Sequence, residues 1–173
     1  MKKVITLALL CVAGFANAQA YKGKGDIKAQ VGANIQSGGT GIHVSGDFGM
    51  GENISFGFSS TYLLSADSYI IGDADGFPKL DEPDFGDRID LKARFNAHLG
   101  SVIGLDSKMD VYPGLNLGLK NFGAHLGFRY FFTDGFGVFG EAGVPIAKYD
   151  KNVVGVEHFH NQFVFNLGAS FNL

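Results

Sequence analysis

Gln162-Phe163-Val164-Phe165-Asn166-Leu167-Gly168-Ala169-Ser170-Phe171-Asn172-Leu173 closes the chain, and its pattern decides the fold. Phe163, Phe165, Leu167, Ala169, Phe171 and Leu173 alternate with Gln162, Val164, Asn166, Gly168, Ser170 and Asn172, so one face is apolar throughout. Only an extended strand sorts its side chains with period two. The run is about twice as long as a usual globular strand and matches a membrane-crossing one.

Residues 88–99 repeat the pattern with sharper contrast. Ile89, Leu91, Ala93, Phe95, Ala97 and Leu99 oppose Arg88, Asp90, Lys92, Arg94, Asn96 and His98. Residues 26–36 set Ile27, Ala29, Val31, Ala33 and Ile35 against Asp26, Lys28, Gln30, Asn34 and Gln36. Segments 41–50, 54–64, 109–119, 123–132 and 136–144 follow the same rule and carry no charge on the apolar face. With 26 Gly, 17 Phe and only 4 Pro, the composition suits many short extended segments. Past residue 18 nothing approaches the ~20 consecutive apolar residues of a membrane helix. The expectation is an all-β chain folded as an eight-stranded antiparallel up-and-down transmembrane β-barrel, one domain over residues 19–173.

Residues 1–18 read as a cleaved signal peptide: Lys2 and Lys3, then an apolar stretch from Val4 to Phe15, then Ala16-Asn17-Ala18. A cut after Ala20 satisfies the same small-residue rule. Either cut removes Cys11, the sole cysteine, and with it any disulfide or cysteine-bound metal. Loss of Lys2 and Lys3 takes the formal charge from −3 to about −5, which excludes nucleic acid as a partner. The acidity is concentrated in 65–87, where Asp67, Asp73, Asp75, Asp81, Glu82, Asp84 and Asp87 face only Lys79.

Alternation alone does not say which face looks outward, and a soluble lipocalin-like carrier would turn its apolar face in. Glycine placement decides for the opposite arrangement. Gly32, Gly57, Gly114, Gly118, Gly127, Gly137 and Gly168 fall on polar faces, where a narrow interior needs room for side chains from opposite strands. Those faces also carry Lys28, Arg88, Lys92, Arg94 and Arg129 against Asp26, Asp47, Asp90, Asp110 and Glu141, the balance that a low-dielectric interior requires. With both termini periplasmic, the inner turns are 51–53, 100–108 and 133–135. The outer loops are 37–40, 65–87, 120–122 and 145–161.

From Gly25 to Leu173 the chain resembles the small outer-membrane β-barrel proteins, the family of the eight-stranded adhesion-type barrels and the membrane domain of outer-membrane protein A. The resemblance rests on the signal peptide, the eight strands, Asp110-Val111-Tyr112-Pro113-Gly114-Leu115, and Gly127-Phe128-Arg129-Tyr130-Phe131 followed by Gly140-Glu141-Ala142-Gly143. It implies an outer-membrane location, in contact with lipopolysaccharide and phospholipid. Members of the family usually end in an aromatic residue, whereas here Phe171 is followed by Asn172 and Leu173.

No catalytic, cofactor-binding or metal-binding residue is assigned. Arg88, Asp90, Lys92, Arg94, Arg129 and Glu141 make either an ion path or a salt-bridged plug, and an interior just wide enough for side chains favours the plug. His158 and His160 beside Glu157, with His43 or His125 approaching, are too few fixed ligands for a metal, and a solvated rim is expected. Asp73-Ala74-Asp75-Gly76 opens like a calcium loop, but Phe77 and Pro78 interrupt it and no closing glutamate follows. His43, Ser45 and Asp47 share an inward face without the hydrogen bond that a nucleophile requires. The expected role is structural or surface-interacting, exercised by a monomer through outer loops 65–87 and 145–161. A narrow channel for small solutes is the alternative, and a lipid-modifying enzyme a more distant one.

Overall fold

The computed structural model describes residues 19–72, 77–150 and 154–173, so the stretch read as a signal peptide, Cys11 and Asp73–Gly76 lie outside the described residues. Eight long strands close into one antiparallel barrel. They are β1 (Ile27–Gln36), β2 (Gly39–Gly49), β3 (Ile54–Ala66), β6 (Ile89–Ala97), β7 (Met109–Gly118), β8 (Asn121–Phe131), β9 (Phe136–Lys148) and β10 (Val164–Asn172). Between β3 and β6 the chain adds a two-stranded hairpin, β4 (Tyr69–Gly72) with β5 (Pro78–Asp81), and a single helical turn, α1 (Phe85–Arg88). The first and last strands pair from Lys28↔Asn172 to Gln36↔Val164, which leaves the barrel no free edge.

The two faces are sorted in the reverse of a soluble protein. Phe58 is 58% exposed while Arg129 is 0% exposed. Val31, Val44, Leu115, Leu126 and Leu167 are exposed with Phe58, and Lys28, Gln30, Arg94 and Asn96 are buried with Arg129. Large apolar side chains belong outside only where the surroundings are apolar, and an interior charge needs a partner. The fold is that of a transmembrane β-barrel.

At three inner-face glycines the nearest side chain comes from the neighbouring strand. Gly127 is the register partner of Tyr112, and a Cβ there would lie 2.0 Å from Tyr112 Cζ. Gly114 receives His125, whose Nε2 would be 2.4 Å from its Cβ, and Gly118 receives Lys92. Tyr112, Phe131 and Phe139 are buried in the interior as well, so apolar rings share the space with the charges.

Several boundaries differ from those read from the sequence. β2 begins at Gly39 after a tight turn in which Gly38 takes a positive φ of 71°. β8 begins at Asn121 and β9 runs on to Lys148, so residues 145–148 are strand rather than loop and pair with Asn121–Gly123. The acidic stretch is folded: β4 pairs with β5 from Tyr69↔Asp81 to Gly72↔Pro78, and Asp84 caps α1 by accepting from the Asp87 backbone N–H. That hydrogen bond holds the Asp84 carboxyl below the usual carboxylate range.

Arg88 does not enter the barrel. It ends α1, and its guanidinium donates to the carbonyls of Pro83 and Leu64 at the outer rim, each at 3.4 Å. The alternation that placed it inside stops at Ile89, where the strand begins.

Gly127→Val drives a branched side chain into the Tyr112 ring. Overpacking of this kind costs about 1–3 kcal/mol. Urea unfolding in lipid vesicles is expected to show the loss, with Gly46→Val on the outer face close to neutral, since a Cβ at Gly46 meets nothing within 4 Å.

Candidate functional site

The lumen is occupied by an ion network centred on Asp47, which β2 turns inward. Arg94 Nε lies 3.2 Å from one Asp47 oxygen and Arg129 Nη2 3.5 Å from the other. Arg94 also donates to Glu141 at 2.5 Å, and Arg129 stands 3.9 Å from Asp110 and 3.9 Å above the Tyr112 ring. Lys92 pairs with Asp90 at 3.2 Å, and Lys28 pairs with Asp26 near the Phe131 ring. With Arg88 at the rim, the interior sets Lys28, Lys92, Arg94 and Arg129 against Asp26, Asp47, Asp90, Asp110 and Glu141. A cavity of about 30 Å³ bordered by His43, Asp90, Lys92, Arg94, His125 and Glu141 has room for roughly one or two water molecules.

At the inner end the N-terminal segment lies against the barrel floor. Ala20 is buried against Phe131, and its N–H donates to Ser107 O at 2.7 Å. The Tyr21 ring stacks on His98 at 3.6 Å, and its hydroxyl donates to Ile54 O at 2.6 Å. Burial, with the nearby Asp26 and Asp110, pushes that hydroxyl up to about 12, so it remains a donor. Beneath it, His98 Nδ1 meets Asp110 at 2.7 Å and His98 Nε2 meets Ser55 Oγ at 2.8 Å. This is the bonding order of a nucleophile, a base and its orienting acid. Ser55 is fully buried, however, and the pocket of about 160 Å³ that opens beside His98 and Asp110 is not bordered by Ser55.

At the outer end the last loop folds back across the mouth. Leu63, Val156 and Phe159 form a buried apolar cluster, with Tyr69 of the hairpin packed against it. His160, with a positive φ of 64°, is buried below them. Its backbone N–H donates to Gln36 Oε1 at 2.8 Å, Gln36 Nε2 donates to its Nδ1 at 3.3 Å, and its Nε2 donates to Arg88 O at 3.1 Å. Asn121 donates to His160 O and to Asn161 Oδ1, both at 2.8 Å. Burial, aided by Lys120 and Lys92, lowers the His160 imidazole to about 3.

The candidates read from the sequence fare unequally. Asp90, Lys92, Arg94, Arg129 and Glu141 all lie inside the barrel, Lys92 paired with Asp90, and Arg94 with Glu141 and, through Asp47, with Arg129. His158 and His160 do not share a centre: His158 Nε2 meets the Tyr69 hydroxyl at 3.0 Å and its Nδ1 meets Gly155 O, while His160 turns to Gln36. Among the described residues no three His, Asp or Glu side chains are grouped as a metal would require. His43 bonds Thr61 and Ser45 bonds Gln30, while Asp47 lies with the arginines, so these three form no triad. The Ser55, His98 and Asp110 chain joins three different strand ends, and no local spacing signals it.

Residues 11–173 match a family described as "Family of unknown function (DUF6646)". The chain belongs to this family. No curated protein sequence matches it. Among solved structures it is similar to the N-terminal β-barrel domain of Pseudomonas aeruginosa OprF, with 11% identity and a TM-score of 0.56, over 88% of this chain and 100% of that one. It is similar also to a de novo designed transmembrane β-barrel, at 8% identity and the same TM-score, over 88% and 98% of the two chains. Identities this low show the shared barrel fold. The relationship gives the DUF6646 chain an architecture and leaves its activity to be read from its own residues.

Asp47→Ala leaves Arg94 and Arg129 short of a buried counter-charge, a change that typically costs about 3–5 kcal/mol. The same vesicle unfolding assay is expected to show it, with Asp47→Asn intermediate. His160 supplies a pH dependence. Its folded pKa of about 3 lies below the ordinary 6.5, so the unfolded loop binds the proton first. Its stabilising contribution is complete above pH 6.5 and is lost progressively as pH falls towards 3. Amide-exchange protection of residues 154–163 is expected to follow that curve, and to flatten in His160→Asn.

Proposed function

We propose that this chain is an exported, non-enzymatic outer-membrane barrel that does not conduct and acts through its folded outer end. The observation that carries the reading is the filled lumen: a charge-paired interior roofed by Phe159 and His160 outside and floored by Ala20 and Tyr21 inside. An eight-stranded wall encloses little more than its own side chains, and here the charged ones stand as ion pairs. What remains for partners is the outer surface, where β4 and β5 expose Ile70 and Leu80 beside Asp67, Glu82 and Asp84. We place the signal-peptide cut after Ala18. Support comes from the burial of Ala20, which a cut after Ala20 would remove, exposing a charged amine beside the Tyr21 ring.

Ser55, His98 and Asp110 favour a second reading, a hydrolase. The enclosure of Ser55 speaks against it, because a nucleophile must reach a carbonyl carbon within near-contact distance. Three measurements test the proposal together. Envelope fractionation is expected to place the protein in the outer membrane with heat-dependent gel mobility, and planar bilayers to show no reproducible unitary conductance. A fluorophosphonate probe is expected to leave Ser55 unlabelled. A soluble periplasmic product, regular channel openings or Ser55-dependent labelling would each defeat the corresponding part.

A further inference from the structure

Among the described residues, the lipid-facing wall carries an open groove across four neighbouring strands. Gly46 on β2, Ser60 on β3 and Ala93 on β6 all point outward, on adjacent strands: Ser60 pairs with Val44 and Leu91, while Phe58 pairs with Gly46 and Ala93. These small residues line an open groove of about 640 Å³ together with Val44, Phe58, Leu91 and Leu117. Phe58, which stands between Gly46 and Ala93, packs edge-on against Phe56 at 5.1 Å, so its ring leans away from Ser60. The groove rises from the middle of β2 to Leu119, just beyond the outer end of β7.

We infer that this groove is a binding site for one acyl chain of a lipid in the outer leaflet. The inference rests on the membrane reading above. The groove is continuous with the exposed apolar belt, so the molecules that cover the belt are the ones that reach it. An unfilled depression forfeits dispersion contacts along its whole lining, and a flexible hydrocarbon chain restores them without disturbing the wall. A second barrel is a poorer fit, because two convex walls touch along a narrow line and cannot both follow a groove that spans four strands. The open space above Gly46 shows that the floor is not needed for packing within the chain: no atom lies within 4 Å of a Cβ built there.

The test refolds the full chain into dipalmitoylphosphatidylcholine vesicles, scores heat-dependent gel mobility, and extracts into mild detergent for native mass spectrometry. Wild-type barrel is expected to retain one phospholipid. The double variant Gly46→Leu, Ala93→Leu fills the floor from the outer side and is expected to fold with the same mobility shift while retention falls roughly ten-fold. Equal retention by both proteins, or folded wild type with no retained lipid, would overturn the site. A dimer mass abolished by the double variant would overturn it too, in favour of a second copy. If wild type shows no mobility shift, the membrane reading itself fails, an outcome distinct from a folded barrel with an empty groove.

Discussion

The ladder between β1 and β10 removes the last edge of the sheet, and that closure conditions the rest of the molecule. Hydrocarbon offers backbone N–H and C=O groups no partners, so a strand left open in a bilayer would strand a row of them at several kcal/mol each. Closing so few strands bends the wall sharply. Inward positions are thereby crowded together and outward ones spread apart, which is why the two faces obey different composition rules.

On the crowded side, the pairing of glycine with a long neighbour is the recurring device. Tyr112 lies over Gly127, His125 over Gly114 and Lys92 over Gly118, so the register partner of each bulky residue gives up its side chain. The arginines reach the axis beside them: Arg94 spans from Asp47 to Glu141, and Arg129 from Asp47 towards Asp110. Burying that many charges is tolerable only when each has a partner. Filling the lumen and holding the wall together are therefore one arrangement.

Period-two alternation exposed all eight wall strands, because a bilayer outside and a charged lumen inside enforce it at nearly every position. It was weaker where those pressures fade. Residues 145–148 of β9 rise beyond the belt, so Pro145 and Lys148 looked like loop. The β4–β5 hairpin carries its apolar residues on opposite faces, Ile70 and Leu80 outward and Tyr69 towards Phe159, and so shows no clean pattern. Arg88 continued the alternation of β6 by coincidence while belonging to the capped turn before it. The lids were not legible either. Contacts such as Tyr21 on His98 and Gln36 with His160 join residues far apart in sequence, and only the closed wall brings them together.

The hairpin packs on the rest of the molecule through the face that carries Tyr69 and Asp81. Tyr69 packs on His158 and Phe159, and Asp81 accepts from the Val156 N–H, while Ile70 and Leu80 touch neither the lid cluster nor the axis. Sequence change on that outer side therefore carries little folding penalty, whereas change on the inner side is checked by the lid. Such a surface can diverge quickly among relatives while the barrel beneath it stays fixed. The hairpin thus joins a face that is free to vary to one that is tied down, with the boundary between them running along the two short strands.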